Sequence, residues 1–178
     1  MIRTQSQRPP ASRRPIAEKP GSTLRVLCVS AEATVRDLFT RVLRGERVIA
    51  APDFPEAVAR TSVETPEVAF IDLAVGEGAG LSLIHHFKSQ YPDLAVYALV
   101  SSTNLEAAAN AIAVGCNGML MMPLSGDDIL SAVSPVRQRI IERFERDQLK
   151  NAAARETRKT GWLSRAVDLA GATDKYAA

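Results

Sequence analysis

From residue 24 onward the chain alternates five times between a short apolar run of strand length and a segment whose apolar residues recur at helical spacing. No other feature constrains the fold as much. The runs are LRVLCVS, ERVIAA, VAFIDL, LAVYALVS and GMLMM, and the segments that follow them are TVRDLFTRVLRG, DFPEAVARTSVE, GLSLIHHFKSQY, NLEAAANAIAVG and SGDDILSAV. In the first segment Val35, Leu38, Phe39, Val42 and Leu43 share a helical face, and Gly45 supplies a stop. Each return from a helix to the next strand is a crossover, so the strands lie parallel and helices cover both faces of one sheet. The nearly unbroken apolar character of the runs agrees with that burial. In such a sheet, ligands and chemistry gather at the carboxyl ends of the strands, here Ser30, Asp72, Val100 and Met122.

The flanks differ from this body. Residues 1–23 carry four prolines and five basic side chains against one acidic, with few large apolar residues. Such a segment buries too little surface to offset its ordering entropy, which predicts a disordered basic tail. Pro9, Pro10 and Pro15 interrupt any amphipathic targeting helix, and no apolar stretch follows the arginines as in a secretory signal. No apolar run approaches the roughly 20 residues of a membrane span, so the expected location is cytoplasmic. Residues 24–134 hold 7 basic and 13 acidic side chains, and residues 135–178 hold 10 and 6, so the net charge of +2 conceals an acidic body between basic ends. Those ends suit nucleic acid, an anionic membrane or an acidic protein surface, or are simply solvated. Cys28 and Cys116 stand apart from any His or second Cys at metal-ligand spacing and read as buried thiols.

Beyond residue 134 the sequence SPVRQRIIERFERDQLKNAAARETRK is rich in helix formers. Ser134 followed by Pro135 has the form of an N-cap with proline at the first helical position, which predicts a kink or a fresh helix start. Val136, Ile140 and Phe144 form an apolar stripe, with Leu149 near its continuation, opposite Arg137, Arg139, Arg143 and Arg146. The stripe needs a cover, either a second copy in a short coiled-coil-like homodimer or another protein. Gly161 is the expected helix end, and Trp162 in the following short segment either anchors a partner or packs back on the body. No recognition helix is evident, so nucleic acid would be held only through phosphates.

The order of the five strand–helix pairs, the segment FIDLAVGEGAG, the AVG closing the fourth helix and the MMPLSGDDIL entering the fifth together resemble the receiver domain of bacterial response regulators, of the chemotaxis-regulator type. The resemblance covers about residues 24–134. It implies a flavodoxin-like (βα)5 doubly wound parallel sheet of five strands, with residues 1–23 a tail and residues 135–178 a helical extension. In that family a histidine kinase passes a phosphoryl group to an aspartate at the end of the third strand, which is Asp72 here. An aspartate attacking an already anionic phosphoryl group needs Mg2+ and a fixed cation. The resemblance places the family's two acidic residues on Ser30 and Ala31, with Glu32 one residue beyond. Its hydroxyl falls on Val100, its lysine on Met122 ahead of Pro123, and its fifth-strand aromatic on Met119.

Asp72 therefore stands in the phosphoacceptor's place without the supporting groups. The expectation is a carboxylate that accepts backbone hydrogen bonds from the AVGEGAG loop, with Mg2+ relevant only if Asp72 is phosphorylated and no other cofactor or metal. Gly76, Gly78 and Gly80 lack the Lys and Ser or Thr of a P-loop and read as a tight turn, and His85 and His86 as satisfied or solvent-facing. The expected function is that of a stand-alone, non-enzymatic receiver-like module acting through protein–protein contacts independent of phosphorylation. The contacts fall on the fourth and fifth strand–helix face, residues 104–122, and on Ile140, Phe144 and Trp162. Two alternatives stay open: a phosphorelay regulator using Asp72, and a nucleic-acid accessory using the basic ends.

Overall fold

The computed structural model describes residues 23–102 and 105–173, the stretch 159–173 as backbone alone. All but the last residue of the expected tail lies outside that range. The strands are β1 Arg25–Val29, β2 Arg47–Ala51, β3 Val68–Asp72, β4 Ala95–Val100 and β5 Gly118–Met121. The helices are α1 Ala33–Val42, α2 Phe54–Val63, α3 Ala79–Gln90, α4 Leu105–Ala113 and α5 Gly126–Thr173, and a 3-10 turn at Val75–Gly78 precedes α3. All strands pair in parallel in the order β2-β1-β3-β4-β5. The chain thus moves outward to β2, returns past β1 and continues to β5. The reversal opens a crevice at the carboxyl ends of β1 and β3.

Strand alternation divides the core. Leu27, Val29, Ile71, Val96 and Ala98 face Leu83, Ile84 and Phe87 of α3 and Ala108 and Ala111 of α4. Val26, Cys28, Val68, Phe70 and Leu99 face Phe39 of α1 and Ile129, Val133 and Val136 of α5. Phe70 sits between Phe39 at 4.7 Å and Tyr97 at 5.4 Å between ring centroids. Local signals start two of the helices. Asp53 caps α2 by accepting the Glu56 N–H at 2.9 Å, and Ser125 and Asp128 cap each other reciprocally ahead of α5.

The last helix corrects the sequence reading. It runs unbroken through both Pro135 and Gly161, so there is neither a fresh start at Ser134 nor an end at Gly161. Proline removes one backbone hydrogen bond, yet Ile129, Ala132, Val133 and Val136 are buried on either side of it and packing holds the helix. A glycine inside a helix costs only about 1 kcal/mol relative to alanine, too little to force a stop among strong helix formers. The apolar stripe also divides. Val136 is buried and Ile140 half-buried against the domain's own core, whereas Phe144 and Leu149 are exposed. Arg137, one of the arginines opposite the stripe, is engaged within the domain. Its guanidinium donates to Glu46 Oε1 at 2.6 Å, while the other oxygen of Glu46 accepts the Leu24 N–H at 2.6 Å, tying α5 to the amino-terminal edge of the sheet.

Candidate functional site

Register builds the site. Val29 of β1 pairs with Ile71 of β3, so the next residues, Ser30 and Asp72, meet at the crevice floor. Both are buried, at 0% and 3% exposure. The Ser30 hydroxyl donates to Asp72 Oδ2 at 2.8 Å, and the Ala74 N–H donates to Asp72 Oδ1 at 2.9 Å. The second of these is the expected backbone bond from the AVGEGAG loop. Ser30 Oγ also accepts the Glu32 N–H at 3.2 Å, so one hydroxyl ties the β1–α1 turn to the end of β3. Glu32 and Ala31 are exposed.

Two further residues complete the crevice: Arg36, which the sequence reading did not single out, and Gly80, which it placed in the turn and which the structure places inside α3. Arg36, on the first full turn of α1, reaches back and donates from one guanidinium nitrogen to the carbonyls of Ser30 at 2.5 Å and Ala31 at 2.9 Å. Gly80 opens α3 so close beneath β3 that a Cβ there would lie 2.6 Å from the Asp72 carbonyl oxygen. Gly76 and Gly78, with φ of 54° and 96°, make the turn between them. Beneath the crevice the Cys28 thiol is pushed up to about 12, mainly by burial, with Arg36 acting against the shift and Asp72 adding to it.

The remaining predicted positions lie around the rim. Val100 is buried where the resemblance implies a hydroxyl. Met122 packs half-buried against the α1–α5 side of the core and precedes Pro123 through a cis peptide bond. Met119 and Met121 on the edge strand are 40% and 52% exposed, and Ile112 of α4 is 58% exposed. Residue 104 and the side chain of Trp162 lie outside the described residues. His85 is exposed, and the His86 ring lies against Phe54 and Phe87.

The donor set does not fit Mg2+, the ion receiver domains bind when phosphorylated. That ion demands near-octahedral oxygen ligation. Here Ser30 and Ala31, where the resemblance implies acidic residues, bring no carboxylate, Arg36 takes their carbonyls, and each Asp72 oxygen accepts a hydrogen bond. Among the described residues no group of three or more His, Cys, Asp or Glu side chains is placed to hold a metal.

Residues 26–134 match the model of the response regulator receiver domain, so the chain belongs to that family of two-component signalling modules. It is 33% identical over 90 residues to the acid tolerance regulatory protein ActR of Sinorhizobium medicae, covering 51% of this chain and 46% of that protein. It is 35% identical over 81 residues to the DNA-binding transcriptional activator DevR/DosR of Mycobacterium tuberculosis, covering 46% of this chain and 37% of that one. The chain thus spans half or less of the length of these curated relatives. Among solved structures it is similar to the receiver domain of NtrX from Brucella abortus, at 26% identity and a TM-score of 0.59 over 64% of this chain and 98% of that one. A receiver domain from Methanospirillum hungatei, 19% identical with a TM-score of 0.62 over 68% of this chain and 98% of that one, shares the fold. Receiver domains are signalling modules rather than enzymes in the ordinary sense. Among the described residues no helix is long and apolar enough to cross a membrane.

Proposed function

We propose that this receiver acts in two-component signalling as a protein-interaction module whose working state does not depend on phosphorylation of Asp72. One observation carries the reading: the Asp72 carboxylate is buried with each oxygen engaged by a donor of its own chain. Each of these bonds draws electron density from the oxygen that would attack a phosphoryl group. The attack would proceed without the second carboxylates, the hydroxyl or the lysine that stabilise the developing charge in the family. Loss of one preorganised contact of that kind commonly costs about a hundred- to a thousandfold in rate.

The unit so formed is residues 24–134, with the part of α5 beyond residue 134 as a helical arm. Its partner surface is the edge of the sheet around Met119 and Met121 with Ile112 of α4, extended by Phe144 and Leu149 on the exposed part of α5. Ile140 takes a lesser part because its own domain half covers it. Trp162 adds an anchor further along the arm, and a second copy of the chain is one occupant this surface suits. The position of Asp72 at the end of β3 favours the competing reading, a phosphoacceptor that switches the domain between two states.

Intact mass after incubation of the full chain with Mg2+ and acetyl phosphate, beside an Asp72→Asn control, separates the two. The expected spectrum shows no added phosphoryl group in either protein. A phosphoryl gain in the native chain alone overturns the proposal.

A further inference from the structure

We infer that the guanidinium of Arg36 is the resident cation of the Asp72 crevice, fixed to the chain in the role that a divalent ion plays in a phosphorylated receiver. The inference rests on the reading above, in which Asp72 is not a working phosphoacceptor, and explains how the crevice keeps one state without metal.

The end of a parallel strand presents carbonyl oxygens, and here the buried Asp72 carboxylate adds a full negative charge beside them. Such a collection of oxygens needs a positive counterpart when it is taken out of water. Arg36 supplies it from α1. Its nitrogen lies 2.5 Å and 2.9 Å from the Ser30 and Ala31 carbonyl oxygens, and Ser30 passes its own hydroxyl to Asp72 at 2.8 Å. The guanidinium thus holds the backbone of the residue that holds the carboxylate. It is always charged, and the one nitrogen that reaches the two carbonyls carries two N–H donors. Both charges also bear on the Cys28 thiol, which burial raises most, with Arg36 lowering it and Asp72 adding to the rise.

Two consequences follow. A divalent ion approaching the crevice meets a fixed positive charge and finds its oxygen ligands occupied. An acidic residue placed at position 30 pairs with Arg36 before it can bind metal, so a site with two carboxylates takes two changes, an acid at residue 30 and removal of the guanidinium, whereas removing the guanidinium alone frees the Ser30 and Ala31 carbonyls and admits a weakly held divalent ion beside Asp72.

The test is thermal unfolding of the full chain in EDTA and in millimolar Mg2+, for the wild type, Ser30→Asp, Arg36→Met and the Ser30→Asp/Arg36→Met pair. The expected midpoints of the wild type and of Ser30→Asp are the same in both buffers. The double variant, with two carboxylates and no cation, melts lower in EDTA and regains several degrees in Mg2+. A Mg2+-induced rise in the wild type overturns the inference, as does a Ser30→Asp response as large as that of the double variant. If the double variant does not fold, broadening of the Glu32 and Ala74 amide signals by Mn2+ decides between wild type and Arg36→Met. Broadening confined to Arg36→Met supports the inference, and equal broadening or none in both overturns it. Phosphoryl uptake is read separately by mass, so a metal response of the wild type without a phosphoryl gain refutes the role of Arg36 and leaves the interaction-module reading standing.

Discussion

Replacing Gly80 by alanine sets two physical effects of opposite sign against each other at the one place where α3 touches the end of β3. Gly80 is the second residue of α3, so helix propensity alone predicts that alanine stabilises the protein by about 1 kcal/mol. The packing predicts the reverse. A Cβ at this position would stand 2.6 Å from the Asp72 carbonyl oxygen and 2.7 Å from Leu73 Cα, distances that real Cβ atoms do not show. Both neighbours are backbone, so no flexible side chain can swing aside. Relief requires α3 to shift away from the strand, and displacements of that sort typically cost about 1–3 kcal/mol, the upper end being appropriate where the obstacle is backbone. After the propensity gain a net loss of about 2 kcal/mol remains. For a domain of this size that lowers the melting midpoint by about 8 °C. The shift also pulls on the Asp72–Ala74 bond, so hydrogen exchange at the Ala74 amide quickens along with the lower midpoint in calorimetry or urea. A Gly80→Ala chain as stable as the wild type, or more so, would refute the claimed close approach and with it the rigid placement of Asp72.

The amino-terminal edge supplies a second prediction. Glu46→Ala strands the Leu24 N–H and frees Arg137, for a loss of about 2–4 kcal/mol, whereas Arg137→Ala loses only the more exposed end of the pair, about 1 kcal/mol, both read from urea unfolding. The Cys28 thiol, raised from 9.0 to about 12 and fully buried, resists iodoacetamide at about pH 8 until the chain is unfolded, while the half-buried Cys116 reacts slowly in the native state. Because the folded value lies above the ordinary one, the stabilisation from keeping Cys28 protonated is complete below pH 9.0 and fades as pH rises towards about 12. The Asp128 carboxyl is held below its ordinary range by the Ser125 hydroxyl and N–H, so it stabilises the folded chain above its ordinary value and less as pH falls through the lowered one. The melting difference between wild type and Asp128→Asn therefore narrows in acid.

Much of the fold was legible because it follows from periodicity. Apolar runs such as VAFIDL and RVLCV alternating with helical segments fit a parallel sheet covered on both faces, and that placed Ser30, Asp72, Val100 and Met122 at the carboxyl ends of its strands. That serine and alanine stand where the resemblance implies acids was equally visible. What Ser30 does there was not, because the Ser30–Asp72 bond depends on a rotamer and on register. Arg36 escaped notice for a related reason. A single arginine on an amphipathic helix reads as a solvated charge, and only three dimensions show it turned back onto strand-end carbonyls. Pro135 misled through magnitude. A proline costs about 3 kcal/mol in a helix interior, and burying Ile129, Val133 and Val136 returns about 1.5–3 kcal/mol for each. Local breaker rules lose where that much apolar surface is at stake.

The same comparison of magnitudes gives Asp72 a test that needs no phosphodonor. In a crevice crowded with carboxylates, removing one relieves repulsion, and the folded state gains by the loss of a functional charge. Here the neighbours of Asp72 are donors. Asp72→Ala leaves the buried Ser30 hydroxyl and the Ala74 N–H without an acceptor, and each stranded group costs about 1–3 kcal/mol. The expected loss is therefore about 2–6 kcal/mol. Asp72→Asn keeps one carbonyl oxygen as acceptor but sets an amide N–H2 towards one of the two donors, so it falls between wild type and Asp72→Ala. Urea unfolding of the three chains ranks them directly. A neutral or stabilising Asp72→Ala would mean that the carboxylate is held at a cost, as functional groups often are, and would argue for retained chemistry at this position. A loss in the expected range ties Asp72 to the architecture: it joins the β1–α1 turn to the β3–α3 turn, and the fold itself has a use for it whether or not a phosphoryl group ever arrives.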